Sequence, residues 1–278
     1  MNPLISVDEI KKNSQNIILV DCRFDLLSPN KGKQDFETGH IPGSFFANLE
    51  NLCHDNSLIS DGRHPLPHKK KFIDLLKSFG ANNESLIVSF DNSHNIFACR
   101  FWWMCKWIGH MNCGVLDGGI NAWIEKGNQL VAGFFPKNLS GSISIRPTLT
   151  TEWKVEMIKS WVKSGCNGEI CTLIDARSSK RFNGKEEPID PKAGHIKGAI
   201  NRPYMENLEE NGKFKSPKKL RNDFDTLLKN KFPSSVVHTC GSGISACHNL
   251  VAMEVAGLPG SSLYVGSWSQ WCYQGIET

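Results

Sequence analysis

Hydrophobic residues in the first half of the chain come in short runs rich in Val, Ile and Leu, separated by segments with helical periodicity. The apolar runs predict strands near residues 17–21, 86–90 and 114–117. Helical patterns lie near residues 6–12, 69–79, 95–108 and 119–126. Ser6 and Glu9 have the spacing of a capping box at the start of the first helix. Alternation of short buried strands with helices is typical of an α/β fold with a mostly parallel sheet.

The second half shows the same alternation of apolar runs and helical segments. Its strands are predicted near residues 171–175, 235–239 and 262–265. Ser216 followed by Pro217 is a typical N-cap with proline in the first turn, and it predicts a helix running to about Lys229.

The chain also repeats its own motifs at an offset of about 150 residues, which is too long for a solenoid and fits duplication of a domain. Four pairs of segments match in the same order: LVDCR at 19–23 with LIDAR at 173–177, GHIPG at 39–43 with GHIKG at 194–198, LIVSFD at 86–91 with SVVHTC at 235–240, and VLDGG at 115–119 with LYVGS at 263–267. Residues 133–147 lose periodicity and are rich in Gly, Pro and Ser. We therefore predict two α/β domains, at 1–133 and 149–278, joined by a linker at 134–148.

Composition narrows the function classes. The 278 residues are 40% hydrophobic and 22% charged, as in globular proteins, and the net charge of +4 is too small and scattered to indicate nucleic-acid binding. No apolar stretch approaches the roughly 18 residues of a membrane-spanning helix, and the N-terminus lacks a secretory pattern, so we expect no membrane association. Ten cysteines without a CxxC pair indicate reduced thiols in the cytoplasm rather than disulfides or a zinc site.

Cys240 is the candidate nucleophile. It follows an apolar run, precedes a glycine-containing turn, and stands before a helical segment that begins near residue 244. Backbone N–H groups at a helix N-terminus stabilise an anion, and the thiolate is the nucleophilic form of cysteine. The sequence therefore predicts an anion cradle for the sulfur, formed by the backbone N–H groups of Gly241, Ser242, Gly243, Ile244, Ser245 and Ala246.

The duplication predicts that only one of the two domains is catalytic. Asp91 occupies in the first copy the position that Cys240 occupies in the second. A carboxylate cannot attack sulfur, and its negative charge opposes the binding of another anion in the same loop. We therefore predict a catalytically silent first domain and an active second domain.

Two histidines in the repeats and two residues near Cys240 have simpler structural roles. His40 and His195 recur in both copies, including the silent one, which favours a scaffold role. His238 and Cys247 are expected to be core residues.

Together these motifs resemble the tandem-domain sulfurtransferases of the rhodanese superfamily over nearly the whole chain. The matching segments are residues 21–23, 39–43, 98–103, 109–110, 116–119, 175–177, 194–196 and 266–268. The resemblance implies two rhodanese-like domains, an inactive N-terminal one and an active C-terminal one, and sulfur transfer through a persulfide on Cys240. It implies no metal and no organic cofactor, because sulfur is both the nucleophile and the transferred atom.

The residues after the cysteine bear on the sulfur donor. Thiosulfate-using members of the family resemble one another in carrying basic residues directly after the catalytic cysteine, which suits a dianionic donor. Gly241, Ser242 and Gly243 are similar instead to the pattern of the 3-mercaptopyruvate sulfurtransferases. A monocarboxylate donor needs less positive charge near the sulfur.

The resemblance also implies roles for three further side chains. Arg181 is expected to bind the donor carboxylate, Ser242 to hydrogen-bond the donor carbonyl or relay a proton, and His64 to reach the site from the first domain. The family's second arginine follows a Glu-Pro pair, and this chain has Ile189 at that place. The second carboxylate contact is therefore expected to be missing.

The resulting expectation is an enzyme that moves the sulfane sulfur of 3-mercaptopyruvate to a thiol, such as that of thioredoxin, or to cyanide, and releases pyruvate. The alternative that differs only in its donor is a thiosulfate:cyanide sulfurtransferase. A non-catalytic binding module is a second alternative, against which the intact Cys240 loop argues. A phosphatase loop of the Cys-x5-Arg type would need arginine at position 246, where Ala246 stands.

Overall fold

The structure is a computed structural model that describes residues 2–12, 16–54, 58–133 and 139–275. The chain divides into two compact units. The first comprises Met1–Asp55, Pro67–Leu149 and Asn211–Lys213, and the second comprises Asn56–Leu66, Thr150–Glu210 and Phe214–Thr278.

The first unit is built around a parallel five-stranded sheet with the order β1-β5-β4-β2-β3. Its strands are β1 (Leu4–Ile5), β2 (Ile17–Asp21), β3 (Phe45–Phe46), β4 (Leu86–Phe90) and β5 (Cys113–Leu116). Its helices are α1 (Val7–Lys12), α2 (Lys31–Thr38), α3 (Lys69–Ser78), α4 (Ile96–Trp107) and α5 (Gly119–Glu125), with a 3₁₀ turn at Glu50–Leu52.

The second unit repeats this arrangement, with a parallel five-stranded sheet in the order β6-β10-β9-β7-β8. Its strands are β6 (Thr151–Trp153), β7 (Thr172–Asp175), β8 (Ile200–Asn201), β9 (Val236–Thr239) and β10 (Ser262–Tyr264). Its helices are α6 (Val155–Lys163), α7 (Ser179–Phe182), α8 (Pro217–Leu228), α9 (Ala246–Val255) and α10 (Ser267–Trp271), with 3₁₀ turns at Ile59–Asp61, Tyr204–Asn207 and Pro233–Ser235.

The predicted central strands and long helices are confirmed to within about two residues, the usual uncertainty of element boundaries. Ser6 and Glu9 form the capping box, because the Glu9 N–H donates to Ser6 Oγ at 3.2 Å and the Ser6 N–H donates to Glu9 Oε2 at 2.8 Å. Ser216 Oγ accepts from the Lys219 N–H at 3.4 Å, as expected of an N-cap. The edge strands β1, β3, β6 and β8 were not predicted, since strands of two or three residues are too short to show alternation.

The partition of the chain differs in detail from the predicted domain limits. Residues 139–149 are hydrogen-bonded to the first unit: the Leu139 N–H donates to Ser78 O at 2.8 Å, and the Ile143 N–H to Ala81 O at 3.0 Å. Residues 58–66 cluster with the second unit although they precede it in sequence. The predicted linker residues 134–138 lie outside the described residues.

Each sheet is buried between its helices, so the ends of its central strands are rigid platforms. In the second unit Leu173, Val237 and Tyr264 come from three adjacent strands and pack with Trp161 and Trp268 in one hydrophobic cluster. In the first unit Leu19, Val88 and Leu116 hold the matching positions. Ligand sites in open parallel sheets lie beyond the carboxyl ends of the strands. The loop after β9 leaves the sheet at such an end.

Both units contain the same two polar contacts beside the central strands. Arg23 is paired with Asp21 at 2.7 Å, and Arg177 is paired with Asp175 at 2.7 Å. The recurrent histidines form the second contact: His40 stacks on Phe36 and His195 stacks on Phe182, and each Nδ1 lies 2.8 Å from a backbone carbonyl oxygen. These contacts confirm a scaffold role for His40 and His195.

Candidate active site

Cys240 directly follows β9 and is 1% exposed. Its backbone is clamped against the start of α10: the Cys240 N–H donates to Ser267 Oγ at 3.1 Å, and its carbonyl accepts from the Trp268 N–H at 3.0 Å. The next carbonyl, of Gly241, accepts from the Ser269 N–H at 2.8 Å. The residue that carries the sulfur is therefore held by both a central strand and a neighbouring helix.

The loop between Cys240 and α9 turns back on itself at Gly243. Gly243 has φ +75°, a left-handed conformation that glycine adopts without steric cost. After this turn the Ile244 carbonyl accepts from the Cys247 N–H at 3.0 Å, which starts α9. The predicted residues 241–245 therefore form the loop, and Ala246 is the first residue of the helix.

Backbone N–H groups of this loop are available to an anion. Among the hydrogen bonds of the described residues, none uses the N–H groups of Ser242, Ile244 or Ser245 as donors. They stand at the N-terminal end of α9, where the peptide dipoles also favour negative charge. A thiolate or persulfide on Cys240 would be stabilised by both effects.

The first unit shows what this loop geometry does with an anion. Asp91 follows β4 as Cys240 follows β9, and its carboxylate accepts four backbone N–H bonds: from Ser93 at 2.6 Å, Asn95 at 2.8 Å, Phe97 at 2.9 Å and Ala98 at 3.0 Å. Burial raises the pKa of Asp91, and the four N–H donors act against that rise. Asp91 itself fills the cradle, so the N–H groups that would hold another anion already have a partner.

The matching positions of the second unit are Ser242, Ile244, Ala246 and Cys247, and of these the Cys247 N–H already donates to the Ile244 carbonyl at 3.0 Å. Cys247 is fully buried, and its thiol donates to the Gly243 carbonyl at 3.4 Å, which agrees with a core role. The position of the Asp91 carboxylate in its own loop thus indicates where a charged sulfur on Cys240 would be held in the other.

Ser242 and His64 are paired beside the loop. His64 Nδ1 lies 2.8 Å from Ser242 Oγ, and the two residues are 8% and 5% exposed. A hydroxyl can donate to an unprotonated imidazole nitrogen or accept from a protonated one, so this pair can hold or pass one proton. His64 belongs to the second unit, not to the first domain to which the sequence assigned it.

Arg181 is held by two buried carboxylates. Its Nη2 donates to Glu187 Oε1 at 2.6 Å and to Asp190 Oδ2 at 3.1 Å. The Glu187 and Asp190 side chains are 3% and 2% exposed, whereas the guanidinium of Arg181 keeps 17% of its side chain exposed. Burial alone would raise the pKa of Glu187, but its hydrogen bonds with Arg181 and with backbone N–H groups bring the pKa below the ordinary value.

Arg63 is a second guanidinium at this site, and sequence reasoning missed it. Its Nη1 forms an ion pair with Asp190 Oδ1. Burial raises the pKa of Asp190 despite this pairing. Arg63 adjoins His64 in the chain and Asp190 follows Ile189, but neither position carries a local pattern that would have linked them. Ile189, at the place of the expected second arginine, is 42% exposed.

Both guanidiniums lie against the residue that follows Cys240. A Cβ placed on Gly241 would lie 2.9 Å from Arg63 Nη2 and 3.5 Å from Arg181 Nη1 and Nη2. Gly241 therefore leaves room for two arginines that a larger residue would displace. The structure brings together Cys240, Ser242, His64 and Arg181 as predicted site residues, and it adds Arg63, Glu187 and Asp190.

His238 lies outside this group. It is fully buried on β9, and its Nε2 lies 3.1 Å from Met253 Sδ on α9. Burial lowers its pKa to about 3, which keeps the ring neutral. These contacts confirm that it is a core residue.

The described residues also bear on metal binding and on membrane spanning. They hold no cluster of three or more His, Cys, Asp or Glu side chains that could bind a metal ion. None of their helices combines the length and the apolar character needed to cross a membrane.

Comparison with known proteins gives consistent matches. The family model described as Rhodanese-like domain matches residues 6–126 and 158–274. A probable 3-mercaptopyruvate sulfurtransferase of Pseudomonas aeruginosa is 37% identical over 92% of this chain and 89% of its own length. A thiosulfate sulfurtransferase of Cricetulus griseus is 31% identical over 88% of this chain and 81% of its own. The solved structure of the 3-mercaptopyruvate sulfurtransferase from Leishmania major superposes with a TM-score of 0.82 at 28% identity, covering 96% of this chain and 73% of that one.

Proposed function

Because the chain belongs to the rhodanese family and is a sulfurtransferase, we propose that it takes sulfur from 3-mercaptopyruvate onto Cys240 and passes it to a thiol. The observation that carries this proposal is the position of Cys240 at the end of β9, next to the N-terminal end of α9, where the N–H groups of Ser242, Ile244 and Ser245 donate no hydrogen bond among the described residues. The first unit, whose cradle is filled by Asp91, is proposed to take no part in the chemistry.

In the first half-reaction the Cys240 thiolate attacks the donor sulfur. An S–S bond forms, the C–S bond of 3-mercaptopyruvate breaks, and its electron pair remains on carbon as the enolate of pyruvate. The proton of the donor thiol ends on that carbon, which releases pyruvate and leaves the Cys240 persulfide as an anion. The N–H groups of Ser242, Ile244 and Ala246 would stabilise the negative sulfur before and after this step.

The hydrogen-bonded pair of Ser242 and His64 suits the proton movement in this step. Ser242 stands two residues after Cys240, and its hydroxyl is held by His64 Nδ1 at 2.8 Å. The pair can orient the hydroxyl toward the donor carbonyl and move a proton to or from the enolate. Arg181 and Arg63 would hold the donor carboxylate by charge-assisted hydrogen bonds.

In the second half-reaction an acceptor thiolate attacks the outer sulfur of the persulfide, and the Cys240 thiolate leaves. We propose a thiol acceptor, such as that of thioredoxin, with cyanide as a substitute in assays. A cytoplasmic location suits this chemistry, because all ten cysteines are free thiols.

A monocarboxylate donor is favoured by the charges around the site. Arg181 and Arg63 are each paired with a buried carboxylate, so the residues next to Cys240 provide hydrogen-bond donors with little net positive charge. Thiosulfate is the second candidate donor. The observation in its favour is the guanidinium of Arg63, which lies beside Gly241, where family members that use thiosulfate carry a basic residue.

Replacing the nucleophile tests the proposal. Cys240→Ser should reduce pyruvate release from 3-mercaptopyruvate to the assay background, because a hydroxyl does not accept sulfur. The wild-type protein, treated with donor alone, should gain the mass of one sulfur atom, and the variant should not. Initial rates of the wild type with 3-mercaptopyruvate and with thiosulfate, at equal cyanide, identify the preferred donor.

Cys247→Ala is the matched control, since Cys247 lies seven positions further on and is fully buried. It should keep sulfur transfer and the mass gain. Near-normal turnover by Cys240→Ser would contradict the mechanism, and a higher rate with thiosulfate would replace the proposed donor.

A further inference from the structure

Six charged side chains surround the loop of Cys240 in one network, and their charges sum to zero. Arg177 is bound by Asp175 at 2.7 Å and by Glu187 at 3.2 Å. Arg181 is bound by Glu187 and Asp190, and Arg63 by Asp190. Three guanidiniums therefore face three carboxylates, and Asp175, Glu187 and Asp190 are each no more than 3% exposed.

Asp190 has a special position in this network, because it is shared by the two guanidiniums that lie against Gly241, the residue after Cys240. Its Oδ1 is paired with Arg63 Nη1, and its Oδ2 accepts from Arg181 Nη2 at 3.1 Å. Both arginines lie against Gly241, within 2.9 to 3.5 Å of the place where a Cβ would stand. A change in the charge of Asp190 therefore alters the net charge beside the reacting sulfur.

We propose that Asp190, through its ion pair with Arg63, sets the charge selectivity of the donor site. This rests on the proposed function. Arg63 supplies the guanidinium that is missing at Ile189, and it also fills the space that the side chain of a basic residue would take at position 241. Asp190 neutralises that guanidinium, so the site binds a monoanionic donor by hydrogen bonds and gives a dianionic donor no additional attraction.

The proposed selectivity is electrostatic in origin. The interaction between a site and an anion scales with the product of their charges, so one added positive charge at the site favours thiosulfate about twice as strongly as 3-mercaptopyruvate. Removing Asp190 should therefore shift the choice of donor toward thiosulfate. Removing Arg63 takes away one of the two positive charges paired with Asp190. The choice of donor should then shift toward 3-mercaptopyruvate.

The test measures kcat/KM for each donor at constant cyanide, because in a two-step transfer this quantity reports the steps up to the persulfide. In Asp190→Asn, the ratio of the thiosulfate value to the 3-mercaptopyruvate value should rise about tenfold, and added salt should reduce the gain. In Arg63→Gln the amide still offers a hydrogen-bond donor to the carboxylate and Arg181 remains, so the loss of charge dominates and the same ratio should fall by a similar factor. The double variant restores the charge balance and should return the ratio toward that of the wild type.

Asp223→Asn is the matched control, since Asp223 is also paired with an arginine and a lysine of the second unit, Arg202 and Lys215, but is not among the charged groups around Cys240. It should leave the ratio unchanged. Thermal unfolding of every variant shows whether it is folded. If Asp190→Asn does not fold, the donor ratio of Arg63→Gln decides the test.

A ratio that changes less than about twofold in a folded single variant would overturn the proposal, because a purely structural role slows both donors alike. That outcome leaves the proposed function intact as long as the wild type forms the persulfide. If the wild type uses neither donor, the proposed function itself fails.

Discussion

Ser267 has a backbone conformation that side chains rarely adopt. Its φ is +53°, in the left-handed region, and the residue is fully buried. Its hydroxyl accepts from the Cys240 N–H at 3.1 Å and donates to the Tyr264 carbonyl at 2.9 Å. At the same place in the first unit stands Gly119, with φ +61°, which needs no such strain. The strained serine thus occurs in the unit with the proposed nucleophile, where its hydroxyl holds the Cys240 backbone.

Two substitutions distinguish the effect of the Ser267 hydroxyl from the effect of its strained backbone. Ser267→Ala and Ser267→Gly both remove the bond to Cys240, so both should lower kcat for sulfur transfer by about tenfold, as expected for loss of a buried hydrogen bond of about 1–1.5 kcal/mol. Ser267→Gly also relieves the strain and should be more stable than Ser267→Ala by about 1 kcal/mol. Steady-state rates and urea unfolding measure these quantities, and an unchanged kcat in both variants would rule out a positioning role.

Among the elements, β9 combines a reactive end with a buried histidine. His238 is packed against Met253 of α9, and its Nδ1 has no hydrogen-bond partner among the described residues. Because burial lowers its pKa from 6.5 to about 3, the folded state keeps the ring neutral at pH values where the unfolded chain is protonated.

The stability of this element should therefore depend on pH in a defined direction. The unfolded chain binds a proton at His238 below pH 6.5 and the folded state does so only near pH 3, so the free energy of unfolding should fall as pH drops between these values. The contribution is about 1.4 kcal/mol per pH unit for one proton. His238→Leu should remove it. Urea unfolding of the wild type and of His238→Leu from pH 7.5 to 4.5 gives the pH dependence of the free energy of unfolding for each. Contributions of other titrating groups cancel in the difference between the two proteins. Equal pH slopes would contradict a neutral, buried His238.

At the scale of the whole molecule, one fold is used twice with one difference in chemistry. The two sheets have the same strand order, and the loops after β4 and β9 both precede helices. In the first loop the Asp91 carboxylate accepts the backbone N–H groups, whereas the second loop carries Cys240 at the same position. The same N–H groups thus stabilise the fold in one unit and are proposed to stabilise a reaction intermediate in the other.

This division of roles predicts opposite effects of two substitutions. Asp91→Ala leaves buried N–H groups without their acceptor, so it should lower the free energy of unfolding by about 1–3 kcal/mol or more and leave the rate of sulfur transfer nearly unchanged. Cys240→Ser should abolish sulfur transfer and leave the free energy of unfolding nearly unchanged. Urea unfolding and the pyruvate assay measure both quantities, and loss of transfer in a folded Asp91→Ala variant would show that the first unit takes part in the chemistry.

Local patterns sufficed for the central strands, the longer helices, the duplication and the candidate nucleophile. Strands such as β4 and β9 are buried almost throughout, so each contains a short run of apolar residues, at 86–88 and 236–237. The turn after Cys240 needs a glycine at Gly243. The asymmetry between Asp91 and Cys240 was also visible, because it lies at equal positions in two copies of one pattern.

The charge environment of Cys240 was decided only by the tertiary structure. Arg63 and Asp190 are separated by 127 positions in sequence, yet they form an ion pair beside Gly241. Likewise, Asp91 could be identified as the counterpart of Cys240, but only the folded loop shows its carboxylate filling the cradle. Strand burial and turns depend on neighbouring residues, which a sequence pattern records. The balance of charges around a sulfur depends on side chains that meet only when the chain has folded.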